Sequence, residues 1–299
     1  MICYLPFLFA SLREIILMIL IADSGSTKTE WRFIDADGKI SQIKTLGVNP
    51  YYMSSETISK VFDEGLKDYL DLDVQKLYFY GSGCSAKENK QKIADCFSPL
   101  FPDAKVEVEV DLLAAARALC GYDSGIACIL GTGCNSCLYD GNSITENIPS
   151  LGYIMGDEGS GSYLGNKLLG DYLRKDMPPE LAKRMEKRFD LSNHTILKNV
   201  YQEDMPTRYM ASFSKFIFQN IKEPYLYQLV YDGFTAFFEK NIIKYTGYQN
   251  ELVHFTGSVA FYYGNILRKV ASDMGVSVRH IVEGPIAGLA LYHQNELNK

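Results

Sequence analysis

Two glycine-and-hydroxyl turns and a few carboxylates stand out as the residues able to do chemistry. The first turn follows an apolar run, Ile19 to Ala22, that stops at Asp23 and continues Ser24-Gly25-Ser26-Thr27-Lys28-Thr29. Backbone N–H groups in such a turn can point inward and form a concave anion site. Lys28 adds positive charge, and Asp23 at the mouth could hold a hydrated divalent cation, a pairing that suits nucleotide phosphates. The spacing is not that of a P-loop or of a Gly-x-Gly-x-x-Gly dinucleotide turn. An ordinary hairpin with polar turn residues has the same composition. A second turn, Gly131-Thr132-Gly133-Cys134-Asn135-Ser136, follows the apolar run Ile126 to Leu130. Asp111 ends the run Val106 to Val110, and Asp157-Glu158 sits among Gly156, Gly159 and Gly161.

These residues need elements to position them. Ile19 to Ala22, Trp31 to Asp35 and Gly38 to Leu46 read as strands, the first two joined by the turn. Ser54 or Ser55 can cap an amphipathic helix running to about Tyr69. Lys76 to Tyr80 is a strand, Lys87 to Phe97 a helix, and Val106 to Val110 a strand ended by Asp111. That order makes an α/β domain with a mixed sheet. The same grammar restarts at Gly125: strand, glycine turn, return strand, and a hairpin at Asp140-Gly141-Asn142. A structural duplication explains the pair of strand–turn–strand units. Helices are expected at 163–173, 180–189, 192–200, 209–220 and 225–245, punctuated by Pro178, Pro179, Pro206 and Pro224. A strand at 252–256 ends in Gly257-Ser258. A helix at 259–274, extended residues Ile281-Val282 and a closing helix from Pro285 follow.

The chain has 299 residues, 47% hydrophobic and 22% charged, enough for two domains with real cores. Its net charge of -6 and pI near 5.4 leave no basic surface to advertise nucleic acid. The seven cysteines are scattered and odd in number, which fits free thiols in a reducing, cytoplasmic setting. The four histidines are dispersed, so no structural metal is expected. Residues 2–12 are mostly apolar, but no positive charge precedes them and no small-residue cleavage site follows. The run is too short to span a bilayer. Met18 is therefore expected as the natural start, with residues 1–17 an upstream extension.

Together these motifs resemble the actin / sugar kinase / Hsp70 ATPase superfamily. The segment Gly152-Tyr153-Ile154-Met155-Gly156-Asp157-Glu158-Gly159-Ser160-Gly161 is similar to the Gly-Asp-Glu-Gly-Ser segment of N-acetylglucosamine kinases and of the related activator ATPases of acyl-CoA dehydratases. The resemblance covers essentially everything from Met18 onward. It implies an α/β, two-lobed actin-like ATPase (ribonuclease H-like) fold with duplicated mixed-sheet domains. Lobe one would be residues 18–111 with the closing helix 285–299, and lobe two residues 112–284. Small-residue helices at 112–118 and 285–290 would form the hinge on which the lobes close.

The resemblance also implies roles. ATP would be held by Ser26, Thr27 and Lys28, by Thr132 and Gly133, and by Gly257, Ser258 and Phe261, with Mg²⁺ at Asp23 through water. Asn49, Ser150, Leu151, Gly152 and Asp157, with Asp111, would bind an amino sugar, and Asp111 would be the general base. Asn49 also reads as a turn residue before Pro50, and Asp111 as a helix cap. Many relatives carry Gly-Gly-Trp-Gly where this chain has Ser150-Leu151-Gly152-Tyr153. The expected activity is transfer of phosphate from ATP to the 6-hydroxyl of N-acetylglucosamine. Glucosamine and N-acetylmuramic acid are competing substrates. An iron–sulfur activator ATPase is the competing class. A small-molecule partner, no nucleic acid, no membrane and a homodimer, common in such kinases, complete the expectation.

Overall fold

A computed structural model describes residues 18–297 apart from position 26. The expected upstream extension and Ser26 lie outside the described residues. The chain divides between Val110 and Asp111 into two compact units.

The first unit comprises β1 (Met18–Ser24), β2 (Lys28–Ile34), β3 (Ile40–Leu46), α1 (Ser55–Leu66), β4 (Val74–Gly81), α2 (Lys87–Phe97) and β5 (Lys105–Val110). Its sheet has the order β3-β2-β1-β4-β5. The β1–β2 and β2–β3 pairs are antiparallel, and β1–β4 and β4–β5 are parallel. Ser54 caps α1, its Oγ accepting from the Thr57 N–H, as the sequence suggests. The core is built on Trp31, which meets Phe62 and Phe97 edge-on with ring centroids 6.0 Å apart in each case. The strand pattern places Trp31 and Phe33 on one face of β2 and the charged Glu30 and Arg32 on the other.

The second unit starts with α3 (Asp111–Cys120), followed by β6 (Gly125–Leu130), β7 (Cys134–Tyr139) and β8 (Ile144–Glu146). Next come α4 (Gly152–Met155), α5 (Gly161–Arg174), α6 (Pro179–Glu186), α7 (Asn193–Tyr201), α8 (Pro206–Ser212), α9 (Ser214–Gln219) and α10 (Pro224–Lys240). The unit closes with β9 (Val253–Thr256), α11 (Ser258–Tyr262), α12 (Gly264–Asp273), β10 (Val278–Val282) and α13 (Ile286–Leu297). Its sheet, β10-β9-β6-β7-β8, repeats the first: two antiparallel pairs on one side of β6, two parallel pairs on the other. The duplication inferred from the turns is therefore a duplication of sheet topology.

Several boundaries differ from expectation. The second turn is only residues 131–133, because Cys134, Asn135 and Ser136 already pair with β6. The helix expected at 209–220 is two pieces, α8 and α9, and the one at 259–274 is also two, broken at Tyr263. Asp111 heads α3 in the second unit, and the closing helix α13 also packs there, against α3. A side chain at Gly288 would collide with the Ala118 carbonyl, so the absence of one permits the approach.

Candidate active site

In a sheet with parallel strands, ligands gather beyond the carboxyl ends of those strands. The expected site residues fall at that edge in both units.

In the first unit, the turn after Ser24 is held from beneath. Ser24 Oγ and Thr29 Oγ1 lie 2.8 Å apart and are buried, and Ser24 Oγ accepts from the Val48 N–H at 3.3 Å. These two hydroxyls brace the turn and face inward, whereas Thr27 is exposed. The Gly47 N–H donates to the Thr27 carbonyl at 3.1 Å, and any side chain at Gly47 would run into the Gly25 carbonyl. Lys28 Nζ meets Glu30 Oε1 at 2.7 Å, and Lys44 reaches the same oxygen at 2.9 Å. Burial alone would raise the Glu30 carboxyl; the two lysines outweigh it and hold the group below its ordinary range. Lys28 and Glu30 share a face of β2 as alternate residues of a strand, but Lys44 joins them only through the pairing of β3 with β2, which local pattern does not reveal.

Asn49 forms an Asx turn, its Oδ1 accepting from the Tyr51 N–H at 3.0 Å. The loop 81–84 lies against it, with Gly83 beside the Asn49 Oδ1. In that loop Ser82 donates its N–H to the Ser24 carbonyl, while its own Oγ is buried without a hydrogen-bond partner. Such a group is costly unless a ligand or water satisfies it. Ser82 is a candidate that the sequence reading passed over; its signal was the flanking pair Gly81 and Gly83 at the end of a strand.

In the second unit the chain builds one interlocked set of loops. The Gly161 N–H donates to the Gly131 carbonyl at 2.8 Å, and the Ser162 N–H to the Thr132 carbonyl at 3.0 Å. Asp157 joins the two segments: its Oδ1 accepts from the Cys134 N–H at 3.2 Å and from Ser150 Oγ at 3.4 Å. Asp157 has φ of 59°, a left-handed conformation that Asp tolerates better than most residues. Burial raises its carboxyl, against the Cys134 and Ser150 hydrogen bonds, and the neighbouring Glu158 charge raises it further.

Gly257, with φ of 114°, carries β9 into α11 directly against β6: a side chain there would collide with the Leu130 carbonyl. Its N–H donates to the Val282 carbonyl, and the Phe261 N–H donates back to the Gly257 carbonyl at 3.0 Å. Thr132, Gly133, Ser150, Asp157, Gly257 and Ser258 thus stand on connected loops of one sheet edge. Leu151 and Gly152 open α4, a short helix the sequence did not disclose, on which Leu151, Ile154 and Met155 are exposed.

Asp111 stands at the head of α3. It is half-buried, and desolvation pushes its carboxyl above the ordinary value despite hydrogen bonds from the Leu112 N–H and its own.

The second unit fits a nucleotide on two counts. Nothing lies within 4 Å of the side-chain direction at Gly131, which leaves the outer side of that turn open. The Thr256 Oγ1 beside Gly257 is buried and has no hydrogen-bond partner. In the first unit Asp23 is half-buried at the carboxyl end of β1, and its hard oxygen ligand type suits Mg²⁺.

A protein from Porphyromonas gingivalis, provisionally named an N-acetylglucosamine kinase, is 38% identical to this chain. It superimposes with a TM-score of 0.88 over 94% of this chain and 100% of its own. The chain belongs to the N-acetylglucosamine kinase family. Members of this family are phosphotransferases on the actin-like ATPase fold, and the two repeated five-stranded sheets are that fold. A second protein of the same provisional name, from Chromobacterium violaceum, shares the fold at 16% identity and a TM-score of 0.70, over 93% of this chain and 99% of its own. An N-acetylmannosamine kinase, also provisionally named, from Listeria monocytogenes shares it at 12% identity and 0.53, over 95% and 100%. No protein-family model matches the chain, and the curated proteins contain no match to it. Among the described residues no helix is long and apolar enough to cross a membrane, and no group of three or more His, Cys, Asp or Glu could hold a metal.

Proposed function

We propose that this sugar kinase transfers the γ-phosphoryl group of ATP to the 6-hydroxyl of an N-acetylated amino sugar, with N-acetylglucosamine as the preferred acceptor. The observation that carries the reading is the placement of Asp157. Its carboxylate is fixed between the turn 131–134 and Ser150, so the loop suited to phosphate and the loop suited to sugar form one rigid piece. A carboxylate held that way can accept from vicinal hydroxyls and orient the ring. The exposed Leu151, Ile154 and Met155 on the adjoining α4 offer apolar contact for an acetyl methyl, which favours acetylated over free amino sugars. N-Acetylmuramic acid remains a competing acceptor on the same ground.

Asp111 is the proposed general base. A sugar hydroxyl must lose its proton as the phosphoryl group arrives, and a carboxyl raised by desolvation accepts that proton more readily than an ordinary one. The turns 25–28 and 131–133 would hold the phosphates, Gly257, Ser258 and Phe261 the nucleoside, and Asp23 a Mg²⁺ through water. When bound, Mg²⁺ supplies neutralisation of phosphate charge. An iron–sulfur role gains no support: Cys120, Cys128, Cys134 and Cys137 are all buried, and burial pushes the Cys120 and Cys137 thiols up to about 12, away from the thiolate that binds iron.

The test is an ATP-coupled assay of the purified protein against a panel of amino sugars. ADP release that depends on N-acetylglucosamine, and less on glucosamine, supports the reading. Release at the same rate with and without every sugar refutes it.

A further inference from the structure

The second unit contains a cavity of about 470 Å³ at the end of its sheet opposite the turns at 131–133 and 256–258. It is lined by the end of α3, the start of β9, the outer residues of β10 and one face of α13. β6 separates the two ends. Its first residue, Gly125, packs on Cys120 and His254 at the cavity, and its last, Leu130, meets Gly257 at the other edge. Six residues of strand place them roughly 17 Å apart. The volume is that of a small-ligand pocket.

The lining carries charge of both signs. Arg279, His280 and His254 stand together, with the two imidazole centroids 5.2 Å apart. His254 is only 3% exposed, and its Nδ1 is buried without a hydrogen-bond partner. Burial pushes His254 down to about 4, and His280 and Arg279 push in the same direction, so the imidazole sits neutral in a positive field. Among the described residues Arg279 has no ion-pair partner. The positive field favours an anion, and a neutral imidazole offers its oxygens one N–H donor. Asp123 also lines the cavity, and its charge and that of Glu251 add to burial in raising the Cys120 thiol. A carboxylate there repels an anion and accepts hydroxyl or amine hydrogens. The stacked pair Tyr122 and Tyr292, centroids 4.9 Å apart, completes the lining, with the Arg117 guanidinium 5.4 Å over the Tyr292 ring.

We infer that this cavity binds a small phosphomonoester, its phosphate against Arg279, His280 and His254 and its hydroxyl- or amine-bearing body toward Asp123. Two features favour the ester over free phosphate: the cavity has several times the room a phosphate needs, and its lining includes the Asp123 carboxylate, an acceptor for hydrogen-bond donors. The site is separate from the sheet edge that carries Asp157 and Gly257, and it does not depend on which sugar is phosphorylated there.

Isothermal titration calorimetry on the full chain tests this, with a non-hydrolysable ATP analogue saturating the nucleotide site. The probes are glycerol 3-phosphate and inorganic phosphate. Glycerol 3-phosphate is expected to bind one equivalent, several-fold tighter than phosphate. Arg279→Gln and His280→Gln, both at exposed positions, are expected to weaken it about tenfold each while leaving affinity for the ATP analogue unchanged. Absence of heat with either probe, equal affinity for both, or unchanged affinity in both variants overturns the inference.

Discussion

Asp157 offers two variants that separate its structural work from its proposed sugar contact. In Asp157→Ala the Cys134 N–H loses its acceptor, which for a buried donor costs about 1–3 kcal/mol. The new residue must also adopt φ of 59° without the local hydrogen bonding that lets Asp do so, about 1 kcal/mol more. The sum, about 2–4 kcal/mol, should lower the melting temperature of a unit this size by roughly 5–10 °C. Asp157→Asn keeps an acceptor oxygen and tolerates the same backbone. It also removes a charge that burial disfavours. Because the folded carboxyl titrates above its unfolded value, the wild type loses stability as pH rises through that window. Asn should therefore match or exceed the wild type at pH 7, with the advantage vanishing in acid once the pH falls below the ordinary carboxyl value of 3.8. Loss of a charge-assisted hydrogen bond to the sugar should still lower kcat/KM by about 10–100-fold. Differential scanning calorimetry at pH 7 and at a pH below 3.8, with the coupled assay, reads both effects. An Asn variant as unstable as Ala, or one with wild-type kcat/KM, would refute the reasoning.

Other outcomes follow from single contacts. Asp111→Asn should reduce kcat by about 10²–10⁴-fold with nucleotide affinity retained by calorimetry; near-normal turnover would remove Asp111 as the base. Its raised carboxyl also places the acid limb of the kcat/KM profile above 3.8, activity falling as pH drops through the raised value, as a pH–rate profile would show. Gly257→Ala should destabilise the second unit by about 2–3 kcal/mol, since the new methyl meets the Leu130 carbonyl at a strained φ, and urea midpoints measure it. Glu30 is depressed by its lysines, so it contributes stability above 4.5 that is lost as pH falls through its folded value. Glu30→Gln should flatten that loss below pH 4.5 in denaturation curves.

Much of this was legible because it rests on local rules. Apolar runs ending in glycine turns marked β1, β6 and β9, and their recurrence announced the duplicated sheet before any pairing was known. The Gly156-Asp157-Glu158-Gly159 segment marked, by resemblance, the loop proposed to bind the sugar. What stayed hidden depends on contacts distant in sequence. The burial of the Ser24 and Thr29 hydroxyls against each other follows from pairing of β1 with β2 and from Val48 above them. The capture of Lys28 by Glu30 together with Lys44 needs β3 in register. The orphaned Ser82 hydroxyl is a matter of what fails to reach it. The break at Phe213 arises where neither proline nor glycine gives notice, and at Tyr263 a single glycine, Gly264, is the signal; Tyr263 donates its hydroxyl to the Ser214 carbonyl, and tertiary packing overrides helical propensity there.

The reading of this chain as a kinase of amino sugars is tested most directly by the product formed from ATP and N-acetylglucosamine, examined by ³¹P and ¹³C NMR. A phosphate monoester with phosphorus coupling at C6 of the sugar is the predicted result. Inorganic phosphate alone, or an ester on any other carbon, would contradict it.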